Sequence, residues 1–361
     1  MEAFMEGMTT YGRNRPRPEA PLSEYGVRKQ SGITRSKKPE IEAGTIIGNY
    51  RFLEIIGFGG FGEVYKAESL EVHREVAIKL YEVRDEDALK AFKRGANLLA
   101  QIDHPNIVKL YDFFTTGNYA LMVMELLSPN QTLRSIVGDF CGQEKIGDFL
   151  KIFRDILDAI RYCHQSRFHD IDGQPKIGIY HGDIKPENIF LHKGQIKIAD
   201  FMIPNLENIL YQGRWEQESF PYYDTRAYGT EMYMSPEQQS GIVNEQTDIY
   251  NIGVTAFELL TGFYPYDSED NYHNNIYYPP TRFCPYTPEW LNETLIKCIV
   301  HDKSKRYEQI AEIERDIMIN LSNSDSANNV PSSSQINING NVTGSTIIIG
   351  NENKVNNSQK K

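Results

Sequence analysis

Long apolar runs are missing from this chain. No stretch approaches the length of a membrane-spanning helix, and the first residues carry no secretory apolar core, so neither a span nor export is expected. Cysteine is scarce: Cys141, Cys163, Cys284 and Cys298 show no CxxC spacing and no metal-like His partners, so reduced cytoplasmic thiols are the expectation. A basic excess is absent too, and the net charge of −11 gives no global reason to expect a nucleic-acid partner. What the 361 residues do hold is ordinary for a globular protein, 40% hydrophobic and 24% charged, enough to bury a core in one large domain or two medium ones.

Residues 1–44 carry scattered Arg, Lys and Pro with almost no periodic apolar pattern. Such a segment cannot bury enough surface to offset its ordering entropy, so a disordered, mildly basic tail is expected, either a solvated leader or a docking arm. Order begins near Ile46. Tyr50 to Ile56 alternates as a strand, Gly57-Phe58-Gly59-Gly60-Phe61-Gly62 follows, and Val64 to Glu68 continues as strand. Glycines let backbone N–H groups approach phosphate oxygens where a Cβ would obstruct them. Dinucleotide-binding folds and plain hairpins use the same spacing, but a dinucleotide fold needs a helix directly after the glycines. Here a further strand, Val76-Ala77-Ile78-Lys79, ends on a lysine instead. A glycine-rich hairpin followed by a strand lysine is the arrangement that covers ATP phosphates in protein kinases.

The stretch that organises the rest is His181-Gly182-Asp183-Ile184-Lys185-Pro186-Glu187-Asn188. An acid to accept a hydroxyl proton, a lysine for a phosphate and an asparagine for Mg²⁺ are the parts phosphoryl transfer needs. Alone, the octapeptide could still be a polar turn between two strands. Downstream come Ile196-Lys197-Ile198-Ala199-Asp200-Phe201-Met202, then Tyr228-Gly229-Thr230 and Met234-Ser235-Pro236-Glu237, then Asp248 opening the most apolar helix, and Arg306.

In this order, from Tyr50 to about Leu321, the chain resembles a Hanks-type (eukaryotic-like) serine/threonine protein kinase of the bacterial kind. The resemblance implies an α+β, bilobal protein-kinase fold over residues 45–321, with a small antiparallel β-rich N-lobe (about 45–127) and a larger helical C-lobe (about 128–321). It implies transfer of the ATP γ-phosphoryl group to Ser or Thr hydroxyls of protein substrates, with Mg²⁺. By carry-over, Asp183 is the catalytic base, Lys185 steadies the transferred group, Lys79 holds phosphates, and the Thr230 hydroxyl bonds Asp183 and Lys185; Asn188 and Asp200 are the metal ligands. Gly57, Gly59, Gly60 and Gly62 cover the phosphates. Ile56, Val64, Ala77 and Phe190 form an apolar slot for the base, with Met124 as gatekeeper and the backbone of Glu125 to Leu127 at the adenine edge. Asp248 is expected to hold the catalytic-loop backbone, Arg306 to pair with Glu237, and His181 to pack beneath Phe201.

Several positions depart from the family pattern. The helix expected from Asp85 to Gln101 has Gly95 where the family places the glutamate that pairs with the strand lysine, and Ala91, Phe92, Leu98 and Leu99 on that face offer no substitute acid. Lys79 is then oriented by Asp200 and the nucleotide alone, or another acid reaches in from elsewhere. Gly182 replaces the arginine that clamps a phosphorylated activation loop, and Met202 replaces the glycine after Asp-Phe. Gly95 and Met202 support a rival reading, a pseudokinase acting as a nucleotide-binding signalling scaffold. Between His164 and His181 lies an insert with Asp170, Asp172 and Gly173, expected as a surface hairpin turning at Asp-Gly rather than as a metal loop.

Past Leu321 the composition shifts to Ser and Asn. Residues 322–334 read as a linker, and 335–356 as a short β-motif of two strands, Gln335 to Val342 and Ser345 to Asn351, around a Thr343-Gly344 turn. High β-propensity with little charge marks a segment that pairs with other chains. It weakly resembles the Asn/Gly β-motifs that end some microbial immune-signalling proteins and pair homotypically; the alternative is a flexible tail.

Overall fold

A computed structural model describes residues 41–59, 62–83, 85–128, 131–201 and 230–328, and two short strands at 347–349 and 354–356. Period-two patterning builds the first half. Strands β1 (Ile46–Ile47), β2 (Tyr50–Gly59), β3 (Gly62–Ser69), β4 (Arg74–Glu82), β5 (Leu110–Thr116) and β6 (Tyr119–Glu125) form one antiparallel sheet in the order β1-β2-β3-β4-β6-β5. One face buries Phe52, Tyr65, Ala67, Val76, Ile78, Leu121 and Val123. Helix α1 (Glu86–Leu99) brings Ala91, Phe92 and Ala96 against Tyr81, Ala120 and Met122. The strand period of two thus sends Ile78 to one core while Lys79 and Tyr81 leave the other face.

The second half is helical. Helix α2 (Ile146–Gln165) is followed by two hairpins, β7 (Arg167–His169) with β8 (Pro175–Ile177), and β9 (Ile189–His192) with β10 (Gln195–Ile198). Then come α3 (Pro236–Gln239), α4 (Glu245–Thr261), α5 (Glu269–His273), α6 (Glu289–Ile299) and α7 (Ile310–Asn328). Helix α4 is buried on nearly every side. It starts at a capping box between Asn244 and Thr247 and ends where Gly262 takes a left-handed φ of 84°. This is the bilobal α+β architecture expected from the sequence. The predicted hairpin in the insert is β7–β8, with Gly173 at φ 74° beside Asp172.

Two boundaries differ from expectation. The described residues up to Ile317 fall in one unit and those from Met318 in a second, and α7 runs through Leu321 into the expected linker, to Asn328. Ile310, Ile313 and Ile317 anchor its first turns in the core, and a helix so anchored propagates through Ser and Asn, which are weak but tolerated helix residues. In the C-terminal motif the described strands are Ile347–Ile349 and Lys354–Asn356, paired antiparallel with each other, with Lys354–Asn356 beyond the two strands expected. Gln335 to Val342 and the Thr343-Gly344 turn lie outside the described residues.

Candidate active site

Helix α4 sets the site from beneath. Its Asp248 is fully buried and accepts from two successive backbone amides, His181 N–H at 2.8 Å and Gly182 N–H at 2.7 Å. Gly182 has φ 76°, a conformation glycine takes without strain. Gln238 of α3 donates to the Gly182 carbonyl, so the glycine that replaces the family's arginine is held from both sides. His181 is fully buried. Its Nδ1 accepts from Asp183 N–H at 3.1 Å and its Nε2 donates to the Ala199 carbonyl at 2.9 Å, while its ring lies 4.4 Å from that of Phe201. Burial pulls its pKa down, which keeps the imidazole neutral and suits this donor–acceptor pair. One ring therefore joins the loop carrying Asp183 to the segment carrying Asp200.

Asp183, Lys185 and Asn188 converge. Lys185 Nζ donates to both Asp183 oxygens at 3.0 and 2.8 Å, and Asn188 Nδ2 donates to Oδ2 at 2.9 Å and to the Asp183 carbonyl at 2.7 Å. Burial pushes the Asp183 pKa above the usual aspartate value, although Lys185 and Asn188 oppose it. A carboxylate poised upward in this way is a better proton acceptor than a solvated one.

Lys79 comes from the other lobe. It is only 3% exposed, and its Nζ lies 2.7 Å from Asp200 Oδ1. Burial would lower the pKa of this ammonium, but the Asp200 charge and the Tyr81 hydroxyl outweigh it and the net direction is up. Asp200 takes a left-handed φ of 60°, which aspartate tolerates better than most residues, and Lys79 holds its carboxyl below the usual range against the opposing effect of desolvation. Asp200 remains 41% exposed toward solvent.

The expected base slot follows from strand register. Val64 lies opposite Lys79, Ala77 lies opposite Met124, and Gly57 lies opposite Val64, with Ile56 at the irregularity between Ile55 and Gly57. Leu127 is buried beyond the end of β6, and Phe190 on β9 bridges to Thr132. Glu125 N–H donates to the Lys109 carbonyl at 2.9 Å, and its carboxylate pairs with Lys197 at 2.8 Å, tying the end of β6 to β10. Gly59 pairs with Gly62 across the hairpin, whose tip at Gly60 lies outside the described residues. Thr230 begins a 3₁₀ turn, Thr230–Tyr233, but its side chain lies outside them, as do Met202 and the segment 203–228.

Arg306 pairs with Glu237 at 2.6 Å, as its position implied. Sequence reasoning missed Arg134, whose guanidinium joins Glu187 at 2.7 Å to Glu258 and Tyr233. No motif announces it, because its partners come from three distant segments.

Residues 50–325 match the protein kinase domain family. The chain belongs to the protein kinase family. It is 32% identical over 283 residues to the serine/threonine-protein kinase PrkC of Bacillus subtilis, covering 75% of this chain and 40% of the relative. It is 30% identical over 288 residues to the serine/threonine-protein kinase PknB of Mycolicibacterium smegmatis, covering 74% and 42%. These similarities place the kinase domain among bacterial Hanks-type serine/threonine kinases, a family that uses ATP and a divalent cation and acts on proteins. The chain thus spans about two-fifths of the length of these relatives. Among solved structures, the Mycobacterium tuberculosis PknI kinase domain (TM-score 0.57, 20% identity, covering 78% of this chain and all of that one) and a structure titled PpkA-294 apo form (0.58, 22%, the same coverage) share the fold. No helix among the described residues is long and apolar enough to cross a membrane.

Proposed function

We propose that this chain is an active serine/threonine protein kinase, transferring the ATP γ-phosphoryl group to Ser or Thr hydroxyls of protein substrates in the cytoplasm. The observation that carries the reading is the joint presence, on the two segments that His181 links, of the Asp183–Lys185–Asn188 cluster and the Lys79–Asp200 pair. In this reading Asp183 accepts the proton of the attacking hydroxyl. Lys185, already within hydrogen-bond distance of Asp183, steadies charge on the transferred group, and Lys79 holds phosphate oxygens. The backbone of the glycine hairpin covers the phosphates, and Ile56, Val64, Ala77, Met124, Leu127 and Phe190 enclose the base beside the Glu125 backbone. Thr230 completes the substrate side.

The donor set suits Mg²⁺. Asn188 spends its amide N–H groups on Asp183, which leaves Oδ1 as acceptor, and Asp200 spends Oδ1 on Lys79, which leaves Oδ2. A hard amide oxygen and one carboxylate, completed by substrate phosphates, is the ligation Mg²⁺ prefers. Asn188 and Asp200 would hold the ion, which neutralises phosphate charge when bound.

The test is transfer of labelled phosphate from ATP·Mg²⁺ to the protein itself and to a generic basic protein, with Asp183→Asn beside the wild type. We expect transfer in the wild type and a loss of at least ~100-fold in the variant, the scale of one general base. ATP binding without transfer would overturn the reading in favour of the nucleotide-binding scaffold. For residues 335–356 the same proposal includes homotypic pairing between copies, supported by the β11 (Ile347–Ile349) and β12 (Lys354–Asn356) hairpin and its short, uncharged first strand.

A further inference from the structure

The β7–β8 insert is anchored at its base on α2 and reaches α1 with its outer edge. At the base, Gly178 N–H donates to Ser166 O at 3.1 Å and Ile179 N–H donates to Cys163 O at 3.0 Å. Gly178 takes φ 78°, and a Cβ there would come within 2.8 Å of the His164 carbonyl, so the return onto α2 demands glycine. Phe168 of β7 is buried. The Asp170 carboxylate closes the turn, accepting from Asp172 N–H at 3.0 Å and from Gln174 N–H at 2.8 Å. His169 stands opposite Pro175, which has no N–H to offer. Its N–H and C=O are taken by the Gln101 side chain instead, Nε2 donating at 2.7 Å and Oε1 accepting at 3.0 Å. The amide meets the strand edge as a peptide unit would. The same Nε2 donates to Asn97 O at 3.0 Å, a carbonyl in the last turn of α1.

We propose that the insert hairpin is a strap that holds the end of α1 to the helical half of the chain, with Gln101 as the link. One amide caps the last turn of α1 and grips the edge of β7, so a local opening of either element loosens the other. On its inner side α1 has Gly95, which offers no side chain, while Ala91, Phe92 and Ala96 meet Tyr81, Ala120 and Met122 through apolar contact. Apolar contact is non-directional, so the directional restraint at this end of the helix comes from the insert. Arg94 lies 3.8 Å from Asp172, but the two side chains are 61% and 68% exposed and the pair contributes little. Beyond Gln101 the chain is tied to α2 at His104, whose Nε2 lies 3.2 Å from Asp158. The strap carries that hold back into the helix itself, whether or not the chain transfers phosphate.

Amide hydrogen exchange of the full chain, read by peptide mass spectrometry, tests the strap. Wild type is compared with Gln101→Ala and with a form in which two glycines join Ser166 to Gly178 in place of residues 167–177. The Gly178 N–H to Ser166 O bond already has the pattern that closes a four-residue turn, so the short link spans the gap. Gln101→Ala is expected to speed exchange across 86–99 and 167–177 together, about tenfold, the scale of two lost hydrogen bonds. Removal of the hairpin should speed exchange across 86–99 by a similar factor. A Gln101 that only caps α1 would leave 167–177 unchanged in Gln101→Ala, and removal of the hairpin would then leave 86–99 unchanged; either result overturns the proposal. Faster exchange across α4 in Gln101→Ala would mean a global loosening and would overturn it too. Should the shortened form fail to fold, Asp170→Ala takes its place: a joint rise at 167–177 and 86–99 supports the strap, and a rise at 167–177 alone overturns it.

Discussion

Gly253 shows how much one missing methyl can matter. It sits in α4, and a Cβ there would come within 2.5 Å of Cys298 Cβ and 2.8 Å of Ile299 Cγ2 on α6. Alanine would gain the helix up to ~1 kcal/mol in propensity, but overpacking a close helix contact costs about 1–3 kcal/mol, more here because one atom it meets is a Cβ fixed to the backbone. We expect Gly253→Ala to lower Tm by roughly 5 °C. Gly147→Ala in α2, where nothing lies within 4 Å of the added carbon, should leave Tm unchanged or slightly higher. A Gly253→Ala protein as stable as the wild type would refute the packing argument. Neither glycine could be told from the other in the sequence, since the atoms a Cβ would meet on α6 lie some 45 residues from Gly253. The same limit hid Arg134. Spacing alone places Asp183, Lys185 and Asn188 in one loop, because the loop is local; the partners of Arg134 lie 53, 99 and 124 residues away.

At the scale of elements, strong periodicity was the most legible feature. The strands read at Tyr50 to Ile56, Val64 to Glu68 and Val76 to Lys79 fall within β2, β3 and β4, and the Asp-Gly turn of the insert was found where turn chemistry put it. What turn chemistry could not say is where the insert docks. The Gln101 side chain both donates to His169 O at 2.7 Å and accepts from His169 N–H at 3.0 Å, which joins β7 to the chain just after α1. The C-terminal motif was the least legible element, because Ser, Asn and Gly permit several registers and a one-residue slip changes every partner. Two three-residue strands are too short to be stable alone in water, and each has an outer edge with no partner strand among the described residues. Pairing with a second copy would relieve both conditions. Deleting residues 322–361 is therefore expected to abolish sedimenting oligomers at a protein concentration where the full chain forms them. Identical sedimentation of the two forms would remove the case for homotypic pairing.

For the whole molecule, the pH dependence of stability turns on one buried imidazole. His164, near the end of α2, has Nε2 2.7 Å from Asp248 and Nδ1 3.3 Å from Glu245, both on α4, and its ring packs 5.2 Å from that of Tyr180. Burial opposes charging it, but the two carboxylates prevail and raise its pKa to about 9. The folded state therefore binds this proton more tightly than the unfolded state, whose histidine titrates near the ordinary value of about 6.5. By linkage the stabilisation is complete below pH ~6.5 and is lost as pH rises through about 9, a change of a few kcal/mol at most. Histidines shifted the other way act at acid pH. Burial lowers His301 to about 4, with the Arg306 charge adding to it, and also lowers His181 and His192, so stability gained above their unfolded pKa fades as pH drops through their folded values. The two opposed groups place maximum stability near pH 6.5. Thermal melts of the wild type should show Tm falling steadily from pH 6.5 to 9, and His164→Gln should lose stability at pH 6.5 yet show a nearly flat Tm over that window. A wild-type Tm that stays level to pH 9 would mean that His164 is neutral in the fold. The Asp248 carboxylate would then hold the catalytic loop without a cation behind it.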